Sequence, residues 1–189
     1  PFKLSEGEYI LLIAENGITI IDSIKIQDQE TDISFGRYPD GYDDWGYILQ
    51  PTPGISNLDN YSTFATKPSI NMSSGLYYTP INVTINSESN QDTIYYSLDG
   101  SEPIRSSAVY NQPISIDSTS VIRARVIREN AAPSHLTNAV YFIDPDHELP
   151  IVSFVTDPIN LFDDSIGIYT NALESGRKWE RKTEITFLN

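Results

Sequence analysis

Tyr95-Tyr-Ser-Leu-Asp-Gly-Ser-Glu-Pro103 is the stretch around which the chain is organised. Ile94, Tyr96 and Leu98 alternate with Tyr95 and Ser97, which gives one apolar face and one that can meet water, the pattern of a half-buried strand. Asp99-Gly100 then turns the chain, because Asp bonds to nearby backbone and Gly takes positive φ without a Cβ clash. Pro103 has no N–H for a ladder, so pairing ends there. These features make a fold signature rather than a reactive site. Working outward, Val83 with Ile85, Val109-Tyr110, Pro113 to Ile116, Val121 to Ile127 and Val140 to Ile143 recur about every ten residues, the rhythm of an all-β sandwich. Ile122, Ala124 and Val126 are expected on one face of their strand, with Arg123, Arg125 and Ile127 on the other. Lys67-Pro-Ser-Ile70 opens this segment, Ser74-Gly75 reads as a turn, and Pro80 stands just before the next strand.

The chain has 189 residues, of which 39% are apolar, enough for one large or two small folded domains. A formal net charge of −14 repels nucleic acid, anionic membranes and other polyanions, and leaves cations or neutral polymers as better partners. Zero cysteines exclude disulfides, thiolate metal sites and cysteine nucleophiles together, while leaving the compartment open. No apolar run approaches the roughly 18 residues of a membrane span, so no membrane insertion is expected. The chain begins at Pro1 without a Met or a leader pattern. It stops at Glu184-Ile-Thr-Phe-Leu-Asn189, which alternates like a strand with no partner after it. A fragment of a longer protein is therefore expected.

In the first segment, the apolar run Tyr9 to Ile13 precedes Asn16-Gly17, a strong hairpin signal. Ile18, Ile20, Ile24 and Ile26 hold one face of the returning strand; Asp22 interrupts that face, at a bulge or near an edge. Ser34 to Pro39 and Trp45 to Leu49 read as strands around an Asp40-Gly41 turn, and Pro51-Thr-Pro-Gly54 ends the segment. Phe2-Lys-Leu-Ser5, Ile21-Asp-Ser23, Ser34-Phe-Gly-Arg-Tyr-Pro-Asp-Gly41, Trp45 and Pro51-Thr-Pro-Gly54 with Asn57 resemble the C-terminal half of a bacterial lamin-tail domain. The resemblance implies an immunoglobulin-like sandwich whose earlier strands are absent, so either the domain is cut or another element covers the hairpin edge.

Two binding readings arise here. Asp40, Asp43 and Asp44 share one loop and are candidates for a hard cation, although the Asp-x-Asp-x-Asp-Gly spacing of a calcium loop is missing and a solvated acidic turn fits as well. Tyr42, Trp45 and Tyr47 are candidates for an aromatic platform under sugar rings. Alternation puts Trp45 and Tyr47 on one strand face, where core packing is the competing use.

Gly75-Leu-Tyr77 before Val83, the stretch Tyr95 to Pro103, Ser107 to Pro113, and Ile122-Arg-Ala124 with Ser134 resemble the domain that follows the catalytic barrel in chitobiases and β-hexosaminidases. In those enzymes the sugar-cleaving carboxylates belong to another domain, so the resemblance implies an immunoglobulin-like accessory module. The residues agree. A glycosidase needs two carboxyl groups about 5–10 Å apart across a cleft, one of raised pKa. Asp99 and Glu102 are close in sequence, but a tight turn leaves them solvated and ionised. Arg123 and Arg125 share a face that could grip an anion, with balance of nearby carboxylates as the expected role. His135 and His147 stand apart in loops and make no metal or acid–base pair.

After the polar hinge Asp144-Pro-Asp-His147, Leu149 to Val155 reads as a strand, Asp157-Pro158 as a turn and Ile159 to Phe162 as one helical turn. Trp179 breaks the charged run Gly176 to Arg181 and is expected to anchor it on an apolar surface. Leu149-Pro-Ile-Val-Ser153, Val155-Thr-Asp-Pro158, Asn160-Leu-Phe162, Gly167-Ile-Tyr169 and Trp179-Glu-Arg181 resemble the opening of a CotH-type protein, the spore-coat family with an atypical kinase fold. No phosphate-cradling loop or catalytic acid set is assignable within it.

Taken together, the expected fold is all-β: tandem immunoglobulin-like β-sandwich modules with a partial β-rich C-terminal segment. Residues 1–59 form the partial lamin-tail-like sandwich, 60–66 a linker, 67–144 the chitobiase-type module and 148–189 the start of the CotH-like region. The expected role is that of a non-catalytic accessory fragment of a larger bacterial protein, spacing and presenting neighbouring domains and contacting cell-surface or environmental polysaccharide. No cofactor and no catalytic residue is expected. The resemblances imply a secreted or cell-surface location. The alternative is the N-terminal support of a secreted CotH-like atypical kinase whose catalytic residues lie beyond this chain.

Overall fold

The computed structural model describes residues 3–30, 33–146 and 149–188; the readings that fall on Pro1, Phe2, His147, Glu148 and Asn189 lie outside the described residues. The chain divides into two compact units, Pro1–Thr63 and Phe64–Asn189.

Unit one holds two antiparallel pairs. β1 (Tyr9–Ile13) and β2 (Ile20–Lys25) form the hairpin expected around Asn16-Gly17. The Asn16 Oδ1 accepts the N–H groups of Ile18 and Thr19 at 3.0 and 2.9 Å, so the side chain itself closes the loop. Leu12 faces Asp22 while Ile13 faces Ile20, which leaves Ile21 as the extra residue of a bulge. The bulge is one of the two alternatives that Asp22 raised. The large apolar side chains of β1, with Ile20 and Ile21 of β2, are exposed. β3 (Ser34–Arg37) pairs with β4 (Trp45–Ile48) across the Asp40-Gly41 turn, with Arg37 opposite Trp45 and Phe35 opposite Tyr47. Tyr47 also exchanges backbone bonds with Tyr61, at 2.8 and 2.9 Å. A Cβ on Gly46 would lie 2.8 Å from the Tyr61 carbonyl, so this close approach requires glycine.

Unit two is an immunoglobulin-like sandwich. Its strands are β5 (Ser69–Ile70), β6 (Gly75–Tyr77), β7 (Ile81–Val83), β8 (Ile85–Asn86), β9 (Thr93–Ser97), β10 (Ala108–Val109), β11 (Ile114–Ile116), β12 (Ser120–Ile127) and β13 (Thr137–Ile143). The larger sheet runs β10-β9-β12-β13-β6, antiparallel except for the parallel β13–β6 pair. The facing layer is made by β11–β7 and β5–β8. Only Thr84 separates β7 from β8. Its N–H donates to Asn71 Oδ1 at 2.7 Å and its carbonyl accepts the Asn71 N–H at 3.1 Å, so an amide side chain carries the ladder across the break.

Alternation sorts the core as expected. Ile122, Ala124 and Val126 are fully buried and pack with Val83, Ile85, Ile94, Ile116, Ala139 and Tyr141. The Tyr141 hydroxyl donates to the Met72 carbonyl at 2.9 Å, and burial pushes its pKa upward, with Tyr77 adding to the rise. Ser134, another of the motif residues, accepts the Val126 N–H through its hydroxyl at 2.9 Å and so satisfies the core strand near its end.

Three expectations are corrected. Leu98 is exposed rather than part of the apolar face, because β9 ends at Ser97 and the alternation of the strand ends with it. Gly75 starts a strand instead of turning the chain, and pairs with Tyr141. The terminal strand β15 (Glu184–Leu188) does have a partner: it pairs antiparallel with β14 (Ile151–Val155), far upstream. Between them stand the helical turn α1 (Ile159–Phe162) and a 3-10 turn at Arg177–Trp179. In the stretch read as a linker, Tyr61 bonds within unit one, and buried Ala65 donates to Ala132 in unit two at 2.8 Å.

Candidate functional site

The signature turn leaves β9 and folds back over the outer face of the larger sheet. Asp99 Oδ1 accepts both the Ser101 N–H at 3.0 Å and the Ser101 hydroxyl at 2.6 Å, while the Ser97 hydroxyl donates to the Ser101 carbonyl at 2.6 Å. These bonds hold the Asp99 carboxyl below its ordinary 3.8, the Ser101 hydroxyl being the largest cause and the Ser101 N–H the next. Gly100 has φ +84°, and a Cβ there would lie 3.4 Å from the Thr156 carbonyl. Pro103 is fully buried.

The expectation that both arginines balance carboxylates holds for one of them. Arg125 pairs with Glu102 at 2.5 Å, and its Nε has no partner. Arg123, only 5% exposed, donates instead to neutral acceptors: Nη1 to the Gly100 carbonyl at 2.7 Å and Nε to Asn138 Oδ1 at 3.1 Å. One guanidinium therefore ties the turn to β12 and β13. A charge held this deep is tolerated because several of its donors are met.

The turn also meets the C-terminal segment of the same unit. The Glu102 N–H donates to Asp157 Oδ2 at 2.7 Å, while Asp157 Oδ1 accepts the Ile159 N–H at 3.0 Å. Beside this contact, a cleft of about 410 Å³ lies between the sheet and the segment. Its apolar lining includes Leu98, Val121, Val140, Phe142, Phe154 and Leu161. Val121, Val140 and Phe142 are outward-facing residues that an uncovered sandwich would make polar. Covering by the segment accounts for them.

In unit one, Arg37 lies 4.6 Å over the Trp45 ring and grips Asp22 with its two Nη nitrogens, at 2.8 and 2.9 Å. That grip, followed by the Ser23 N–H, holds the Asp22 carboxyl below 3.8. Phe35 stacks on Trp45 with centroids 5.9 Å apart and meets the edge of Tyr47 at 5.3 Å. Of the sugar-platform candidates, Trp45 and Tyr47 thus share one half-buried aromatic face capped by Arg37, and Tyr42 stands exposed in the loop. The acidic candidates do not converge. Asp40 accepts the Asn57 N–H at 3.2 Å, Asp43 lies 3.7 Å from Arg37, and the Asp44 carbonyl accepts the Tyr38 N–H at 2.9 Å. Among the described residues no three His, Cys, Asp or Glu side chains come together as a metal site. Sequence reasoning missed Arg37; the signal was its place two residues after Phe35, opposite Trp45 once the hairpin register is known.

His135 stacks on Phe64 with centroids 5.2 Å apart. Trp179 is flanked by Lys178 and Arg181 at 5.4 and 5.5 Å, and Arg181 donates to the carbonyls of Ile166, Lys178 and Glu180. No described helix is long and apolar enough to cross a membrane.

The sandwich and its clamped turn define the class, an immunoglobulin-like β module. A family model, the chitobiase/beta-hexosaminidase C-terminal domain, matches residues 72–138, which run from the bend between β5 and β6 into β13. Residues 1–59 and 148–189, with their lamin-tail and CotH resemblances, lie outside that match. No curated protein and no solved structure gives a significant match to the chain.

Two predictions rest on this geometry. Arg123→Met removes two charge-assisted bonds and should cost about 3 kcal/mol in urea unfolding, whereas Arg125→Met removes a partly exposed pair and should cost about 1 kcal/mol or less. Equal losses would contradict the clamp. The second concerns acid. Asp22 and Asp99 both have folded pKa values below 3.8, so their contribution is full above that value and is lost as pH falls through the lower folded values. The double variant Asp22→Asn/Asp99→Asn should therefore show a shallower fall in thermal midpoint than the wild type between about pH 5 and 2.5.

Proposed function

We propose that this chain is a non-catalytic, extracellular accessory segment of a larger surface or secreted bacterial protein. It spaces and presents neighbouring domains of the same chain and contacts neutral glycans through exposed tyrosines. The observation that carries the reading is the engagement of the signature turn: Asp99 is bonded to Ser101, Glu102 to Arg125 and Gly100 to Arg123, so its polar groups serve the fold. An acid for glycosidic cleavage needs a raised pKa, and that of Asp99 is lowered. The match of residues 72–138 to a C-terminal domain of sugar-cleaving enzymes supports an accessory role and an extracellular location. Tyr42 and Tyr78, both largely exposed, supply flat apolar surface with a polar tip, suited to sugar rings.

The test is a depletion assay of the purified chain on insoluble chitin, cellulose and peptidoglycan, run beside a chromogenic N-acetylglucosaminide. Retention on at least one polymer, weakened by Tyr42→Ala or Tyr78→Ala, with no chromophore released, is the expected result. Turnover abolished by Asp99→Asn, or no retention on any polymer, would overturn it.

A second reading makes the chain the N-terminal support of a CotH-like atypical kinase. It is favoured by the antiparallel pair of β14 and β15, which exposes Val152, Phe154, Ile185 and Phe187 on one face. The intact mass of the exported polypeptide tests it: a product that continues the CotH-like pattern with metal-binding acids supports it, and one ending near Asn189 excludes it.

A further inference from the structure

A second cleft, of about 550 Å³, opens where β9 begins and β12 ends. That volume falls in the range of small-ligand sites, roughly 300–1,000 Å³. Its lining is polar: Arg105 and Arg128 with Gln91, Thr93, Asn130 and Glu129. We propose that this cleft binds one carboxylate-bearing sugar residue of an otherwise neutral glycan. The inference rests on the glycan-contact reading above and names the residue class that it selects.

Two arginines in one cleft are notable where acidic side chains outnumber Lys and Arg by 26 to 12. Arg105 makes no ion pair among the described residues, although carboxylates abound. Arg128 Nη1 stands 3.7 Å from Asp92 Oδ1, and the Asp92 side chain is only 1% exposed. That oxygen accepts no hydrogen bond. Asp92 therefore holds Arg128 by charge without taking up its donors, which stay available to a ligand. A guanidinium presents a planar fork that matches a carboxylate with two parallel bonds, and two forks in one cleft give an anion both charge and orientation. Gln91, Thr93 and Asn130 both donate and accept, as sugar hydroxyls require. Glu129 accepts from a hydroxyl and repels a second anion. With the −14 net charge, it turns the site against polyanions and toward a single acidic residue.

The experiment is an NMR titration of the whole chain with methyl β-glucuronide, methyl β-glucoside and sodium acetate. Glucuronide should bind about tenfold more tightly than either of the others, since each supplies only part of the contact set. Its signals should map to residues 91–93 and 127–130. Arg105→Gln changes an exposed side chain, so the fold survives; it should weaken glucuronide about tenfold, while Lys25→Gln leaves it unchanged. Glucoside or acetate binding as well as glucuronide, or an unaffected Arg105→Gln variant, would overturn the site. Retention on neutral polysaccharide is measured on the same samples. If it persists while glucuronide shows no preference, the site assignment falls and glycan contact stands; if the wild type is retained by nothing and binds no sugar, both fall.

Discussion

The bond from the buried Arg123 guanidinium to the Gly100 carbonyl is the interaction on which the larger unit depends. A loop that leaves a strand end through Asp-Gly ordinarily projects into water and frays. Here it is drawn back over the sheet, because a charge in the middle of β12 needs oxygen acceptors and finds them in Gly100 and Asn138. Pro103 is buried as a result, Glu102 comes within reach of Arg125, and the Glu102 N–H is set to donate to Asp157. The central strand is thus covered on both faces, by the opposing layer on one side and by turn and C-terminal segment on the other.

The same economy appears in unit one. Arg37 grips Asp22 across the two strand pairs and lies over Trp45, so one side chain fastens the hairpin and caps the aromatic face. In both units the most conspicuous motif residues are spent on architecture. That leaves recognition to what the architecture does not use: exposed tyrosines, and a polar cleft whose arginines lack hydrogen-bonded carboxylates. The proposed accessory role, with sugars met at the surface, draws on this division of labour.

Much of the fold could be read from local pattern. The alternation of Ile122, Ala124 and Val126 with Arg123, Arg125 and Ile127 gave both faces of β12, and Asn16-Gly17 gave the first hairpin, because period and turn chemistry are local. Leu98 continues the same alternation, yet the chain has left the sheet by then, and only the pull on Gly100 shows it. Gly75 looks like a turn residue; its parallel pairing with Tyr141 depends on a strand more than sixty positions away. The strand at Glu184–Leu188 was legible, but not its partner, since a strand pattern carries no address. The fate of the arginines was half legible. Charge balance predicts the pair of Arg125 with Glu102, but nothing local says that Arg123 will take a carbonyl. The cleft of Arg105 and Arg128 escaped because its walls come from three separated stretches of chain.

Backbone hydrogen exchange at Ser101 and Glu102 tests the account most directly. Both amides sit at a turn tip, where unclamped chains exchange fast. If Arg123 and Asp157 hold the turn as described, these amides should fall into the slow group and exchange together with the β12 amides, and Arg123→Met should release them without releasing Ile94 or Val126. Fast exchange of Ser101 and Glu102 in the wild type, at the rate of the exposed loop at residues 172–176, would contradict the clamp and with it the structural role assigned to the signature turn.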